Sequence, residues 1–276
     1  MNISDDRTAT LRFLERPEGR LAYDVRGEGP LVVCLSGMGD IRATYRFLAP
    51  ALAAAGHRVA VMELRGHGDS EATFRRYDDE AAAEDLAALV EELGGPAVLV
   101  GHSMSAGASL ITAAHRPELV SGLVLLGPFG RNPRINPVMR GLFRLAMLRP
   151  WAKVVWNAYL PALYAGRKPE DFAAHRAAMM AALDRPGRLR AFCRTTHTSH
   201  APAEAAVAQV RAPALVVMGE LDPDFPDPLA EATWLAEALG GERLMVPEAG
   251  HYVHAQRPDL VVPAVVAFAR RVTHRG

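Results

Sequence analysis

The sequence predicts an α/β protein: a mostly parallel central sheet with helices on both faces, interrupted by one helical insertion. Three features carry the prediction. Short, continuous apolar runs recur along the first 130 residues, as in strands buried on both sides. Amphipathic helical patterns separate the runs. The alternation stops near Phe129 and resumes near Ala214.

Taken in order, Leu11 to Leu14 and Leu21 to Val25 flank Pro17-Glu18-Gly19 and read as an N-terminal hairpin. Leu31-Val32-Val33-Cys34-Leu35 is the third strand and runs into Ser36-Gly37-Met38-Gly39. Arg58 to Leu64, Ala97 to Val100 and Leu123 to Leu126 are the next three. Between the fourth and fifth, Ala82, Leu86, Leu89, Val90 and Leu93 form one apolar stripe, with Glu84, Asp85, Glu91 and Glu92 opposite it. Residues 129–205 give helical patterns without a strand, and bulky side chains gather there, among them Phe143, Trp151, Trp156, Tyr159 and Phe192. Strands return at Ala214 to Met218 and Arg243 to Val246, each followed by a helix. The last helix, about Pro258 to Val272, contains Pro263, which should kink it at a cost of about 3 kcal/mol unless it lies in the first turn. The expected division is a core of residues 1–128 and 206–276 and an insertion of residues 129–205.

Composition narrows the function. The 276 residues include 31 basic and 31 acidic side chains, half are apolar and 22% are charged, which is a globular balance. Zero formal charge, with the cations scattered, gives no electrostatic reason to expect a nucleic-acid partner. Cys34 and Cys193 form neither a disulfide framework nor a zinc spacing. Met1 to Asp6 is acidic and lacks a signal pattern. The apolar run Val261 to Ala269 is far short of the ~20 residues a spanning helix needs. The reading is a soluble, cytoplasmic protein with no membrane partner and with self-association open.

Chemistry is signalled where strands end. Ala97 to Val100 runs into Gly101-His102-Ser103-Met104-Ser105-Ala106-Gly107, and a helical pattern follows. A serine between strand and helix, among small residues, is the setting of a nucleophile elbow, and the helix start behind it favours a developing oxyanion. By themselves these residues equally suit a serine N-cap. A hydroxyl nucleophile needs a base, and the base an orienting carboxylate. Asp222 follows the strand Ala214 to Met218, and His251 follows Arg243 to Val246. In open parallel sheets these loops share the edge where active sites lie, so Ser103, Asp222 and His251 are expected to meet there.

Here the chain resembles the α/β-hydrolase family, whose triad runs serine, acid, histidine. Ser36-Gly37-Met38-Gly39, Arg65-Gly66-His67-Gly68-Asp69-Ser70, the elbow, and the acid and histidine loops carry the resemblance over nearly the whole length. It implies an α/β-hydrolase fold in which residues 129–205 are a lid, the backbone amides of Met38 and Met104 form an oxyanion hole, and no cofactor is needed. It also implies a serine hydrolase acting on a neutral, moderately apolar ester, lactone or thioester. Two positions depart from the family pattern: Ser36 stands where histidine is common, and Ser105 where glycine is usual. The segment Gly101 to Ala106 is similar to that of plant strigolactone and karrikin receptors, which suggests a slow-turnover sensor with a protein partner as an alternative. Carbon–carbon bond hydrolases and cofactor-free haloperoxidases share the serine, aspartate and histidine set. Relatives that open epoxides or remove halides use aspartate at the position of Ser103, so the resemblance points away from both.

Other residues have plainer readings. Asp224 is an alternative triad acid, but family spacing favours Asp222, leaving Asp224 as a loop carboxylate. His251 and His254 have the spacing of a metal pair but no third ligand nearby, so no metal is expected. His102 reads as structural. His197 and His200 read as polar surface of the insertion. Gly37-x-Gly39 fails as a dinucleotide loop, because Arg42 stands where a third glycine belongs.

Overall fold

All eight apolar runs become strands in a computed structural model that describes residues 9–133 and 137–273. The acidic opening Met1 to Asp6 lies outside the described residues. The strands are β1 (Thr10–Arg16), β2 (Gly19–Arg26), β3 (Leu31–Leu35), β4 (Arg58–Met62), β5 (Ala97–His102), β6 (Val120–Leu126), β7 (Ala214–Gly219) and β8 (Glu242–Val246). They form one sheet in the order β1-β2-β4-β3-β5-β6-β7-β8. The turn at Pro17 and Glu18 is too short for a crossover, so β1 and β2 are antiparallel, as are β2 and β4. The remaining pairs are parallel.

Alternation along each strand fills two cores. Val33, Leu35 and Leu99 face one side, with Leu86 and Leu110. Val32, Cys34, Val98 and Val100 face the other, with Leu48, Val265 and Phe268. The first layer holds α2 (Asp79–Glu92), α3 (Met104–His115) and α9 (Pro228–Leu239), and the second holds α1 (Leu48–Ala54), the short α10 (Val253–Gln256) and α11 (Pro258–Thr273). Pro263 lies beyond the first turn of α11, and the helix is assigned through it. The residue is exposed, so the carbonyl it leaves unbonded faces water.

Between β6 and β7 lie α4 (Pro137–Ala146), α5 (Ala152–Leu163), α6 (Phe172–Asp184), α7 (Arg188–Thr195) and α8 (Ala201–Val207). Residues of α5 to α7, with Met147 and with Tyr252 and Ala255 of the core, build a third apolar cluster around Trp156, Leu160, Met179, Leu183 and Phe192. Helix α8 does not share it: Ala203, Ala206 and Val207 pack into the core under α3. The expected boundary at residue 205 therefore cuts through a core helix, because a helical pattern does not reveal which body a helix packs against. Ion pairs tie the insertion down, with Arg46 on Asp171 at 2.5 Å and Arg185 on Asp69 at 2.6 Å. Among the described residues, no helix is long and apolar enough to cross a membrane.

Candidate active site

Ser103 sits on the turn from β5 to α3 with φ 60° and ψ −127°. A side chain in that region costs about 1–3 kcal/mol and persists only where its surroundings enforce it. Its N–H donates to the Leu126 carbonyl at 2.9 Å, and its carbonyl accepts from Ala106 N–H at 3.0 Å. A β-carbon at Gly101 would fall 2.4 Å from the Ser105 carbonyl oxygen, so the turn closes only with glycine there. Ser105 is compatible for a different reason: its hydroxyl donates to the Ser36 carbonyl at 2.6 Å and ties the elbow to the loop after β3.

The ends of β7 and β8 bring Asp222 and His251 together. His251 Nδ1 lies 2.8 Å from Asp222 Oδ2, and the loop carboxylate Asp224 Oδ2 is also near, at 3.7 Å. Asp222 is thus the direct partner. Asp224 N–H donates to Asp222 Oδ1 at 3.1 Å, and Tyr159 of α5 donates its hydroxyl to Asp224 Oδ1 at 2.7 Å. His251 N–H donates to the Leu163 carbonyl at 2.7 Å, so the insertion also holds this loop. Burial alone would lower the imidazole's pKa, but the Asp222 carboxylate, helped by Asp224 and Asp40, lifts it to about 9. Burial raises the Asp224 carboxyl above the ordinary range.

Ser103 and His251 open on one cavity of about 440 Å³, within the range of small-molecule sites. No hydrogen bond joins their side chains in this conformation, and such contacts often tighten only once substrate binds. Met38 and Met104 line the same cavity. Among the described residues, no hydrogen bond engages either backbone N–H. The cavity wall includes apolar side chains, Phe143, Met147, Val155 and Trp156, and polar ones, Asn132, Thr195, Thr196, Thr198 and His200.

The remaining histidines divide. His102 packs against the rings of His251 and Tyr252, both at 4.8 Å, and burial beside His251 pushes its pKa down to about 3. It is a neutral structural group. His254 is buried, stacked on Tyr45 and bonded through Nε2 to Thr44 Oγ1 at 2.9 Å. Among the described residues, the ligand atoms of Asp222, Asp224 and His251 form a group within 4.8 Å of one another, but Nδ1 of His251 is already engaged by Asp222. His197 is exposed as a surface residue should be. His200 is not: it bonds to buried Asp79 at 2.7 Å and lines the cavity. The sequence carries no signal for that pair, whose members stand 121 positions apart. Tyr159 was legible only as one of the insertion's aromatic residues.

With this geometry, the kinship is direct. The alpha/beta hydrolase family model matches residues 32–264, and the chain belongs to that family. It is 31% identical over 92% of its length to the dihydrolipoyllysine-residue acetyltransferase component of an acetoin cleaving system from Pseudomonas putida, covering 68% of that protein. It is 32% identical to BpoC, a proposed non-heme bromoperoxidase of Mycobacterium tuberculosis, over 90% of this chain and 97% of the relative. A thermophilic esterase from Thermogutta terrifontis has a similar fold, with TM-score 0.81, 24% identity and coverage of 96% of this chain and 99% of that one.

Proposed function

We propose that the protein is a serine hydrolase that cleaves a neutral, moderately apolar carboxylic ester, lactone or thioester through an acyl-enzyme on Ser103. The observation that carries the reading is the 2.8 Å contact of His251 with Asp222, beside a strained serine that opens on the same cavity. Asp222 accepts a hydrogen bond from Nδ1–H of His251, which fixes the tautomer whose Nε2 lone pair takes the proton of Ser103. The serine oxygen attacks the carbonyl carbon. The Met38 and Met104 amides and the start of α3 stabilise the resulting oxyanion, where one such donor is typically worth about 2.7–4 kcal/mol. His251 then protonates the leaving group, and the same base activates the water that releases the acid.

The test is turnover of p-nitrophenyl esters from acetyl to dodecanoyl. Wild type should turn over repeatedly, with an optimum at short to medium chains that fit the cavity. Ser103→Ala should lose at least about 10⁴-fold in kcat. Retained hydrolysis in Ser103→Ala would refute the reading. Similarity to BpoC favours a second reading, halide oxidation by peroxide at the same residues. Bromination of phenol red with peroxide and bromide, exceeding the ester rate, would put that reading first.

A further inference from the structure

A second histidine–aspartate pair faces the cavity from its polar lining. Asp79 stands in the first turn of α2, fully buried, and its Oδ2 lies 2.7 Å from His200 Nδ1. Gly107 of α3 makes room for it, since a β-carbon there would sit 3.0 Å from that carboxylate oxygen. The backbone of His200 is fixed by its N–H donating to Asn132 Oδ1 at 2.9 Å. Its ring lies 5.0 Å from that of Phe129, which meets the His251 ring edge-on at 5.9 Å. One aromatic ring thus separates the two imidazoles, and both line the cavity that holds Ser103.

The polarity of this wall is one-sided. In the tautomer that donates its Nδ1–H to the Asp79 carboxylate, the imidazole presents a lone pair at Nε2, and no described residue bonds to that atom. The three threonines beside it spend their protons inward. Thr195 Oγ1 donates to the Ala191 carbonyl at 3.0 Å, Thr196 Oγ1 to that of Cys193 at 2.8 Å, and Thr198 Oγ1 to that of Tyr77 at 3.3 Å. Asn132 gives an amide proton to Ser199 Oγ at 3.2 Å and its carbonyl to His200, keeping one donor to spare. The wall therefore offers mostly acceptors, and acceptors inside a pocket select a ligand that brings donors.

We propose that His200, oriented by Asp79, is a specificity residue that accepts a hydrogen bond from the substrate. The substrate class is then a carbonyl compound whose non-scissile part carries a hydroxyl or amide N–H, with an apolar portion against Met147 and Trp156. His200 is not the catalytic base, and Asp79 is a positioning residue that acts through it. The inference rests on the cavity's being the substrate site of the serine hydrolase proposed above.

The experiment compares p-nitrophenyl esters of unbranched acids, four to eight carbons long, with their ω-hydroxy counterparts. At one chain length, wild type should favour the hydroxy ester by roughly tenfold in kcat/KM, expressed in KM. His200→Ala should erase that preference, lowering kcat/KM for the hydroxy ester roughly tenfold more than for its parent. Because the change also strands the buried Asp79 carboxylate, the readout is the ratio of the two esters within each variant. Asp79→Asn should weaken the preference; because Asp79 is buried, His200→Gln is the companion variant, expected to keep part of it through its own carbonyl. Equal rates for both members at every length, or equal loss of both in His200→Ala, would overturn the proposal. The same pairs as amides, titrated calorimetrically into Ser103→Ala, read the anchor by binding alone. If no ester turns over but the hydroxy amide binds tighter through His200, the hydrolase reading fails and the anchor stands. If esters turn over and neither amide series shows the preference, the anchor fails alone.

Discussion

The two sides of the cavity are held by different physics. On the core side, Ser103, Asp222 and His251 each follow the carboxyl end of a strand, and backbone hydrogen bonds, a strained φ and a 2.8 Å ion pair fix them. On the insertion side, Met147, Val155 and Trp156 are placed by helix packing, and the same helices leave Leu142, Leu145 and Val154 at 53%, 55% and 70% exposure. The core side is defined by directional contacts that a single atom change breaks. The insertion side is defined mainly by apolar volume, and it reaches the chemistry at two bonds, from His251 N–H to the Leu163 carbonyl and from the Tyr159 hydroxyl to Asp224.

The comparison breaks most visibly at the two carboxylates. Asp222→Asn should cost about 10⁴-fold in kcat, because the amide holds the imidazole in the wrong tautomer. Asp224→Asn should cost far less, since Asp224 Oδ2 lies at 3.7 Å and contributes charge rather than orientation. The separation is clearest in pH. His251 acts as a base only when neutral, and its pKa is raised to about 9, so wild-type kcat/KM should climb with pH up to about that value. Removing the Asp224 charge lowers the imidazole's pKa and moves the limb to lower pH. Stability follows the same sign: the His251 contribution is complete below its ordinary value of about 6.5 and lost as pH rises through about 9. Equal losses of kcat in the two variants would mean that the acids share one role.

On the insertion side, Trp156→Ala should destabilise the chain by about 3–5 kcal/mol through loss of a buried ring, measured by urea unfolding. Its chain-length optimum should shift toward longer acyl groups, while a fluorophosphonate probe still labels Ser103. Loss of labelling would show that the insertion holds the elbow too, and would erase the contrast.

That contrast also explains what the sequence disclosed. A parallel strand end has one geometry, so continuous apolar runs followed by Gly-x-Ser-x-Ser, Asp222 and His251 were enough to bring three distant residues to one edge. The eight strands were legible for the same reason, since alternation into two cores demands unbroken apolar runs. The insertion has no such rule. Its helices were visible, but nothing in Ala201 to Val207 distinguished a helix packed on the core from one packed in the insertion, and the expected boundary at residue 205 falls inside that helix. His200 looked like surface because nothing in the sequence pairs it with Asp79, 121 positions away, and only the fold buries that carboxylate.

The smallest expected effect falls where the two sides touch. Tyr159 of the insertion donates to Asp224 Oδ1 of the core at 2.7 Å, a bond whose removal is worth about 1 kcal/mol by ordinary measure. Its donation holds the Asp224 carboxyl down against burial, which pushes it up. In Tyr159→Phe, Asp224 should take a proton more readily, less negative charge should face His251, and the acid limb of kcat/KM should move down. The shift should be smaller than in Asp224→Asn and should vanish when both changes are combined, because the tyrosine acts on the base only through that carboxylate. A limb that moves equally in the presence and absence of Asp224 would mean that Tyr159 reaches the base by another route. The insertion would then belong to the chemistry rather than to the shape of the pocket.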